Sequence, residues 1–554
     1  MEVLYHTDNN NNKNISRNAR IFATKTARSI AEVQKNVNNM ADVLVFLEVL
    51  GYDDSTAQKN GFENLKELSK YVYNFIDAFD NKQRNDVNLS ELPVPGTKQR
   101  LAEILITMFP WLGALVLLYL TGVSLWMAWG LPADVTVAFV AGVFFGLILT
   151  EGLLQTFGRL FSFYYSQANF GEVKRNIKRI YTLSAILLTG ATVLIYVVSI
   201  FAHIPYELAT ITTISIVTIS LHRISYVVLY GLKKLNHIAL SYAGAFAALL
   251  AVFFLLPNFV PNMTLRYFAG LASAFAVLTS FAIYHHYKIL GQSSISIVAK
   301  DAPHFYSPPS INGKTLTSRF DVQLWECLPY SVYGTLYFVI LFADRIISWA
   351  FNPLKVVAAN GTLLPLSFNS VYHIGADLAL LTILPAAILQ YWITSPIYSL
   401  MHNRAINLRV AERQNIDFFL RHVYRKMITV SVAISVVMAT ALNLLAPTIM
   451  LHIGGSSVST RILGLASAGA VFMTIFAGNS IFLIFLNKAK TLALISIPPA
   501  LVVIIGGVAI AQATGFENAI IAYVAAAVLA ATMSTIVTVR TMAKGSSRIF
   551  ARFV

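Results

Sequence analysis

The chain has 554 residues, of which 56% are hydrophobic and only 12% charged, and its formal net charge is +15. Soluble domains hold about 25% charged residues, so this composition, with a mean hydropathy of +0.64, excludes an ordinary soluble protein. A single cysteine, Cys327, excludes intrachain disulfides and cysteine-based metal clusters.

The first hundred residues differ from the rest. Asn9 to Asn12 form a polar low-complexity run expected to be disordered. No short apolar stretch comes after a basic start, so no secretory signal peptide is expected. Residues 17–50 and 61–80 are expected to form two helices, broken at Gly51-Tyr52-Asp53-Asp54. In the second, Leu65, Leu68, Val72, Phe75, Ile76 and Phe79 recur at helical spacing. Residues 1–100 therefore read as a cytoplasmic helical extension, joined to the apolar part of the chain by a segment with Pro93, Pro95 and Gly96. A hairpin docked on the membrane part and a partner-binding arm both fit it.

From Leu101 onward runs a ladder of about twelve apolar segments, each long enough for a helix to cross a ~30 Å hydrocarbon core. The spans are expected at 104–128, 135–162, 179–203, 206–230, 234–256, 265–288, 322–350, 371–397, 426–450, 459–486, 489–510 and 516–539. Every second loop is basic. One set carries Lys174, Arg175, Lys178, Arg179, Lys233, Lys234, Lys300, Lys314, Arg319, Arg404, Arg409, Arg413, Arg421, Arg425, Lys488 and Lys490. The opposite set offers little beyond Arg266, Lys355 and Arg461. The positive-inside rule then places both termini in the cytoplasm, and the net charge reports orientation, not nucleic-acid binding.

Six spans (101–288) precede a connection at 289–321 that contains Pro303, Pro308, Pro309 and Gly313 and no apolar run; six more come after it (322–540), then a basic tail (541–554). The expected fold is an all-α polytopic membrane protein with two six-helix bundles. A cytoplasmic linker between such halves is a transporter-like plan, with the substrate path between them.

An ionisable group at bilayer depth costs roughly 2.5–3.5 kcal/mol on insertion scales, so each one calls for an account. Glu151 lies well inside the second span, and Gln155 and Arg159 come next on the same helix face. This stripe either lines a cavity or makes a packing salt bridge. Arg159 and Arg223 lie close enough to the inner surface to snorkel, and His222 reads first as a packing histidine. In the seventh span Glu326, Tyr330, Tyr333, Tyr337 and Asp344 stay on one face. Glu326 and Asp344 are ~27 Å apart along the axis. Aromatic rings cover the apolar faces of sugars while hydroxyls and carboxylates bind their polar edges, so this face suits a sugar path. Packing between helices or against lipid is the alternative. Asp377 enters the eighth span at the depth of Asp344 and Arg345, and the three form either an outer gate or a structural ion network.

Several short stretches sharpen the reading. The second span holds Gly-Leu-Ile-Leu-Thr-Glu-Gly-Leu-Leu-Gln-Thr-Phe-Gly-Arg (146–159) and runs through Phe163-Tyr164-Tyr165. The fourth exits as Leu229-Tyr230-Gly231-Leu232-Lys233-Lys234. The seventh carries Tyr333-Gly334-Thr335-Leu336-Tyr337 and Phe342-Ala343-Asp344-Arg345-Ile346-Ile347-Ser348-Trp349. The eighth has Asp377, Leu381-Thr382-Ile383-Leu384-Pro385-Ala386 and Tyr398, and the tenth ends Leu486-Asn487-Lys488-Ala489-Lys490. In order and spacing these resemble the PelG-type membrane proteins of bacterial exopolysaccharide secretion, within the multidrug/oligosaccharidyl-lipid/polysaccharide (MOP) exporter superfamily. The resemblance spans roughly residues 100–550, with Arg345 where that pattern usually has Lys and a long N-terminal extension without counterpart. It implies export of a polysaccharide across the bacterial inner membrane, beside a cytoplasmic glycosyltransferase and other membrane subunits of a secretion complex. A lipid-linked oligosaccharide flippase, a drug/cation antiporter and a non-transporting scaffold for a synthase are the alternatives.

No Gly-x-x-x-x-Gly-Lys-Ser/Thr phosphate loop and no His-Glu-x-x-His motif occurs. His285 and His286 have no nearby carboxylate in sequence to complete a metal site and read as interfacial. No Ser/His/Asp arrangement stands out by spacing. The chain is expected to be no enzyme and to hold no metal or cofactor, its partners being membrane lipid, polysaccharide and protein subunits.

Overall fold

The computed structural model describes residues 17–33, 40–49, 51–86, 97–126, 130–166, 170–231, 234–257, 259–291, 320–358, 360–390 and 413–542, with Ala128 and Ile393. The Asn9–Asn12 run, most of the expected linker, the basic stretch with Arg404 and Arg409, and the C-terminal tail lie outside the described residues. The described helices fall into two compact units.

The first unit holds α1 (Arg17–Val33), α2 (Met40–Val49), α3 (Asp54–Lys59) and α4 (Leu65–Asp86). Ala19, Ala23, Ala27 and Ile30 of α1, Val43 and Leu47 of α2, and Leu65, Leu68 and Val72 of α4 form one buried cluster. The side chains of Ile76 and Phe79 lie outside the described residues. The expected break is present, with Gly51 at φ +82°, but it contains an extra helix. Asp53 caps α3, its carboxylate accepting from the Thr56 amide at 2.8 Å and the Thr56 hydroxyl at 2.6 Å. Those bonds, with one from Ser55, hold the exposed Asp53 carboxyl down to about 2. The Asp-Asp-Ser-Thr run that suggested only a breaker is an N-cap.

The second unit holds α5 (Thr97–Thr121), α6 (Ala133–Ser166), α7 (Phe170–Phe201), α8 (Tyr206–Gly231), α9 (Leu235–Leu255), α10 (Met263–Gly291), α11 (Phe320–Ala350), α12 (Ser370–Leu380), α13 (Arg413–Ile453), α14 (Ser457–Phe485), α15 (Ala489–Leu501), α16 (Gly507–Thr514) and α17 (Ala519–Met542). Among the described residues, eleven segments are long and apolar enough to cross a membrane. The first expected span corresponds to α5, whose qualifying apolar stretch, Leu112–Thr121, is shorter. The third helix of each half, α7 and α13, is peripheral, with only 17% of its apolar window buried, against 72% for α6. This matched position fits a repeated six-helix plan.

Two spans are not the continuous helices expected. The eighth stops at Leu380 and resumes at Ile383 after a turn. Ser435 of α13 donates to the Thr382 carbonyl at the break (3.2 Å), which satisfies a polar group that lipid cannot. The eleventh carries Pro498-Pro499, and five residues of π-helix (Val502–Gly506) come between it and α16. Proline removes a backbone donor and crowds the preceding turn, and the wider turn re-forms the ladder. The tight turn into α15 has Asn487 at φ +56°, a conformation asparagine tolerates better than most residues.

Candidate functional site

The two halves meet along α6 and α11. At their crossing a Cβ on Gly152 would lie 2.5 Å from Ser331 Oγ and 2.9 Å from the Ser331 carbonyl oxygen; one on Gly334 would lie 2.7 Å from Gln155 Cγ. Only glycine lets these backbones approach so closely, as in small-residue helix contacts generally. On the same helix Gly142 and Gly146 do likewise against α8, next to Thr212, Ser215 and Ile219. Below the crossing, Gln323 of α11 donates to the Tyr164 hydroxyl (2.7 Å) and accepts from Arg179 (3.2 Å). Above it, at the end that carries the 351–369 connection, Val137, Ala138 and Leu208 of the first half pack on Ala358 and Leu364 of that connection.

Glu151 sits beside the crossing, buried, and is ion-paired with Arg223 of α8. Gln155 donates to its other oxygen at 2.7 Å. Arg223 also donates to the Leu147 carbonyl (3.0 Å) and to Thr150 (3.1 Å), and lies over the Phe338 ring of α11 at 5.2 Å. The expected Glu151–Gln155–Arg159 stripe is thus divided. Glu151 and Gln155 share one network, whereas Arg159 stacks over Tyr330 at 5.9 Å. Arg223, expected to snorkel, closes the network instead; its partner Glu151 is a helix away, which no spacing along the chain reveals.

The seventh-span face is also divided. Glu326 is exposed, while Tyr330 and Tyr333 are buried. Tyr337 stacks on Phe476 of α14, 5.9 Å between centroids, and Tyr333 meets the same ring edge-on at 6.1 Å. These tyrosines lie inside the second half, between α11 and α14. Asp344 and Arg345 are fully buried farther along α11. Arg345 donates to Asp377 (2.9 Å), Asp344 (3.2 Å) and the carbonyls of Leu341 (2.9 Å) and Ala376 (2.8 Å). Tyr372 donates to the other Asp344 oxygen at 2.8 Å. The expected Asp344–Arg345–Asp377 cluster is brought together, and Asp377 is its exposed member, with 48% of its side chain accessible.

Sequence reasoning missed His373. Its Nδ1–H donates to Asp377 at 2.9 Å, and its ring is stacked with Phe368 (4.6 Å), Trp349 (5.0 Å) and Phe144 (5.7 Å). Phe144 belongs to α6 and also stacks on Phe342 at 4.7 Å. The stack therefore joins the halves at the 351–369 end. An i, i+4 His–Asp pair was the available signal. Of the other histidines, His222 bonds the Tyr242 hydroxyl inside the first half. His286 is buried, bonded to the Ser225 carbonyl (3.0 Å) and the Tyr181 hydroxyl (2.9 Å), and packs inside the first half.

A cavity of about 770 Å³ opens among α6, α7 and α8 and reaches the crossing at Gly152, Ser331 and Thr335. Leu149, Leu194, Val198 and Leu366 are among its almost wholly apolar lining.

No family model and no curated protein matches this chain. Solved structures do. A MATE transporter in the bent conformation aligns with 81% of this chain and 94% of its own at a TM-score of 0.54 and 14% identity. The fold is that of MATE and MOP-superfamily transporters. An outward-facing multidrug-resistance MATE transporter of the MOP superfamily aligns over 82% of this chain and 98% of its own, again at 0.54 and 14%. A MOP-superfamily transporter from Pyrococcus furiosus, described as having a binding pocket of reversed polarity, gives 0.50 at 16% identity over 81% and 96%. With eleven membrane-length apolar segments, the chain is a multi-pass membrane protein.

Proposed function

We propose that the protein is a membrane transporter that works by moving its two six-helix halves against each other, and that its cargo is a polysaccharide leaving the cytoplasm. The observation that carries the transporter reading is the MOP-type fold over four-fifths of the chain. Its corollary is a glycine-lined crossing between the halves, which lets them roll without separating side chains that interdigitate. The loop charges favour the orientation with both termini cytoplasmic, which puts the 351–369 connection outside. The polysaccharide reading rests on the PelG-type resemblance and implies a cytoplasmic glycosyltransferase as partner.

A second reading has its own support. An apolar cavity of about 770 Å³ among α6, α7 and α8, bordered by Ser331, Thr335 and Leu366 of the second half, suits the hydrocarbon part of a lipid-linked oligosaccharide. One experiment separates the two. Cells making the polymer are compared with and without this chain, and the purified full chain is tested in vesicles for flipping of a fluorescent lipid-linked oligosaccharide. Loss of secreted polymer with no flipping supports export of free polymer. Flipping in vesicles supports the second reading. Normal secretion and no flipping refutes both.

A further inference from the structure

We propose that the cavity beside the crossing seats one acyl chain of a bilayer phospholipid, which enters from the side and lies against both halves. On α6 the lining residues Val137, Ala141, Phe145, Ile148 and Gly152 recur at three- and four-residue steps, so one helix face forms a wall. Leu187, Ala191, Leu194 and Val198 do the same on α7. The second half supplies Ser331 and Thr335 at the inner end, and Leu364 and Leu366 of the 351–369 connection as a roof at the other. Among the described residues, Glu151, Arg223, Tyr333 and Tyr337 take no part in the lining. The seat is therefore separate from the charge network and the aromatic face, and it does not depend on either transport reading.

The cavity opens on the bilayer. Leu194 and Val198 line it yet are 62% and 48% exposed, and Phe145 is 39% exposed. The adjoining outward residues of α7, Ile186, Val193 and Val197, are exposed and apolar too, so the medium on that side is hydrocarbon. The lining offers water little. Ser199 donates to the Tyr196 carbonyl (2.8 Å) and Thr212 to the Leu208 carbonyl (3.0 Å), which leaves only the hydroxyls beside Gly152 at the inner end. A buried water needs roughly 2–4 polar partners, and an empty apolar void forfeits dispersion contacts on every wall. Hydrocarbon is what remains to fill it. The length fits one chain. Leu149 and Leu187 lie twelve residues in from Val137 and Ser199, ~18 Å along each helix. One leaflet of a ~30 Å core is about 15 Å deep. A chain from the leaflet at the 351–369 end therefore finishes at Leu149 and Leu187, and the cavity ends within about a turn of them.

The test is photolabelling of the full-length protein in nanodiscs with a phosphatidylcholine that carries a diazirine at the end of one acyl chain, followed by peptide mass spectrometry. Ile186 is the reference, since it neighbours Leu187 at the same depth but faces the open bilayer. The expected result is stronger labelling of Leu187 and Leu149 than of Ile186, persisting after the surrounding lipid is exchanged for detergent, when the label at Ile186 is lost. Ala191→Phe puts a ring into the cavity and should bring Leu187 and Leu149 down to the level of Ile186. Gly190→Phe, at an exposed position with nothing within 4 Å of an added Cβ, should leave the wild-type pattern. Equal labelling of Leu187 and Ile186 in the wild type overturns the assignment without any variant, and so does loss of the pattern in Gly190→Phe at unchanged thermal midpoint. Unlabelled phosphatidylcholine and unlabelled polyprenyl phosphate are then compared as competitors at equal mole fraction. Competition by phosphatidylcholine supports the phospholipid seat. Competition by polyprenyl phosphate alone overturns it and gives the cavity to the lipid-linked oligosaccharide reading.

Discussion

Substituting alanine at four of the five glycines of α6 and α11 tests whether the crossing is the tight joint between the halves. At Gly152 the new Cβ meets two hydroxyls, Ser331 Oγ at 2.5 Å and Thr335 Oγ1 at 2.7 Å, and the Ser331 carbonyl oxygen at 2.9 Å. Hydroxyls can rotate away, but the carbonyl is backbone and can yield only if α6 and α11 separate. Overpacking of this kind costs about 1–3 kcal/mol. Alanine also gains about 1 kcal/mol over glycine as a helix former, so the net loss at Gly152 is roughly 0–2 kcal/mol. Gly158, less than two turns along the same helix, has nothing within 4 Å of its added Cβ. Gly158→Ala therefore keeps the gain without the clash, and the difference between the two variants isolates the contact at about 1–3 kcal/mol. Gly334→Ala meets the flexible Gln155 side chain at 2.7 Å and backbone no closer than 3.2 Å, so it should fall between Gly152→Ala and wild type. The measurement is the thermal midpoint of the detergent-solubilised full chain at one scan rate, read as a rank order because such unfolding is often irreversible. Gly142 offers an internal comparison, since its Cβ would meet the Thr212 carbonyl at 2.6 Å within the first half. Both Gly142→Ala and Gly152→Ala should lower the midpoint, but only the second should alter transport. If Gly152→Ala is as stable as Gly158→Ala, the close approach of the halves is not as described.

Four further outcomes are expected. Arg345→Lys should destabilise the protein by about 1–3 kcal/mol, read as a lowered thermal midpoint, because one ammonium cannot replace a fork that serves Asp377, Asp344 and two carbonyls. If polymer reaches the face of α11, Tyr337→Ala should reduce secretion more than Tyr337→Phe, and Asp344→Asn should reduce it too; wild-type secretion by all of them at normal expression places the path elsewhere. Reporter fusions at residues 310 and 410 should report cytoplasm and one at 360 the outside, and opposite sides for 310 and 410 would rule out the two-bundle orientation. For Asp53, a carboxyl lowered to about 2 from 3.8 contributes stability above pH 3.8 that is lost as pH falls through about 2. Pepsin nicking within residues 51–62 should therefore rise across that window in wild type and not in Asp53→Asn, whose amide caps without titrating.

What the sequence made readable was whatever repeats locally. Apolar runs separated by Gly, Pro and basic residues located the helices of the second unit, although α5, α7 and α13 begin seven, nine and thirteen residues before the expected spans. The turn at Asn487 and the break at Gly51 were visible because their residue types are the ones such backbone requires. The discontinuity at Leu381-Thr382 was not, because Leu-Leu-Thr-Ile is ordinary helix sequence; a donor from another helix, Ser435, makes the break tolerable. The tyrosine spacing on α11 correctly put Tyr333 and Tyr337 on one face, yet that face meets Phe476, and the choice of neighbour depends on how α14 crosses α11.

The candidate site divides in the same way. Depth in the membrane was enough to single out Glu151, Asp344, Arg345 and Asp377, because a charge there demands a partner. It was not enough to name that partner when it came from a distant segment. Arg223 meets Glu151 only because Gly146 and Gly142 let α8 lie against α6, and Phe144 meets His373 only because Gly152 lets α11 lie there too. The glycines of one helix thus decide which charges and rings face each other across both of its contacts. Moving α6 against α11 must carry the Glu151–Arg223 pair with it as a body, since both members belong to the first half, while Arg223 leaves the Phe338 ring and Phe144 leaves His373. The contacts between the halves are thus ring contacts, apolar packing and the Gln323 bonds to Tyr164 and Arg179, and the ion pairs of each half stay intact.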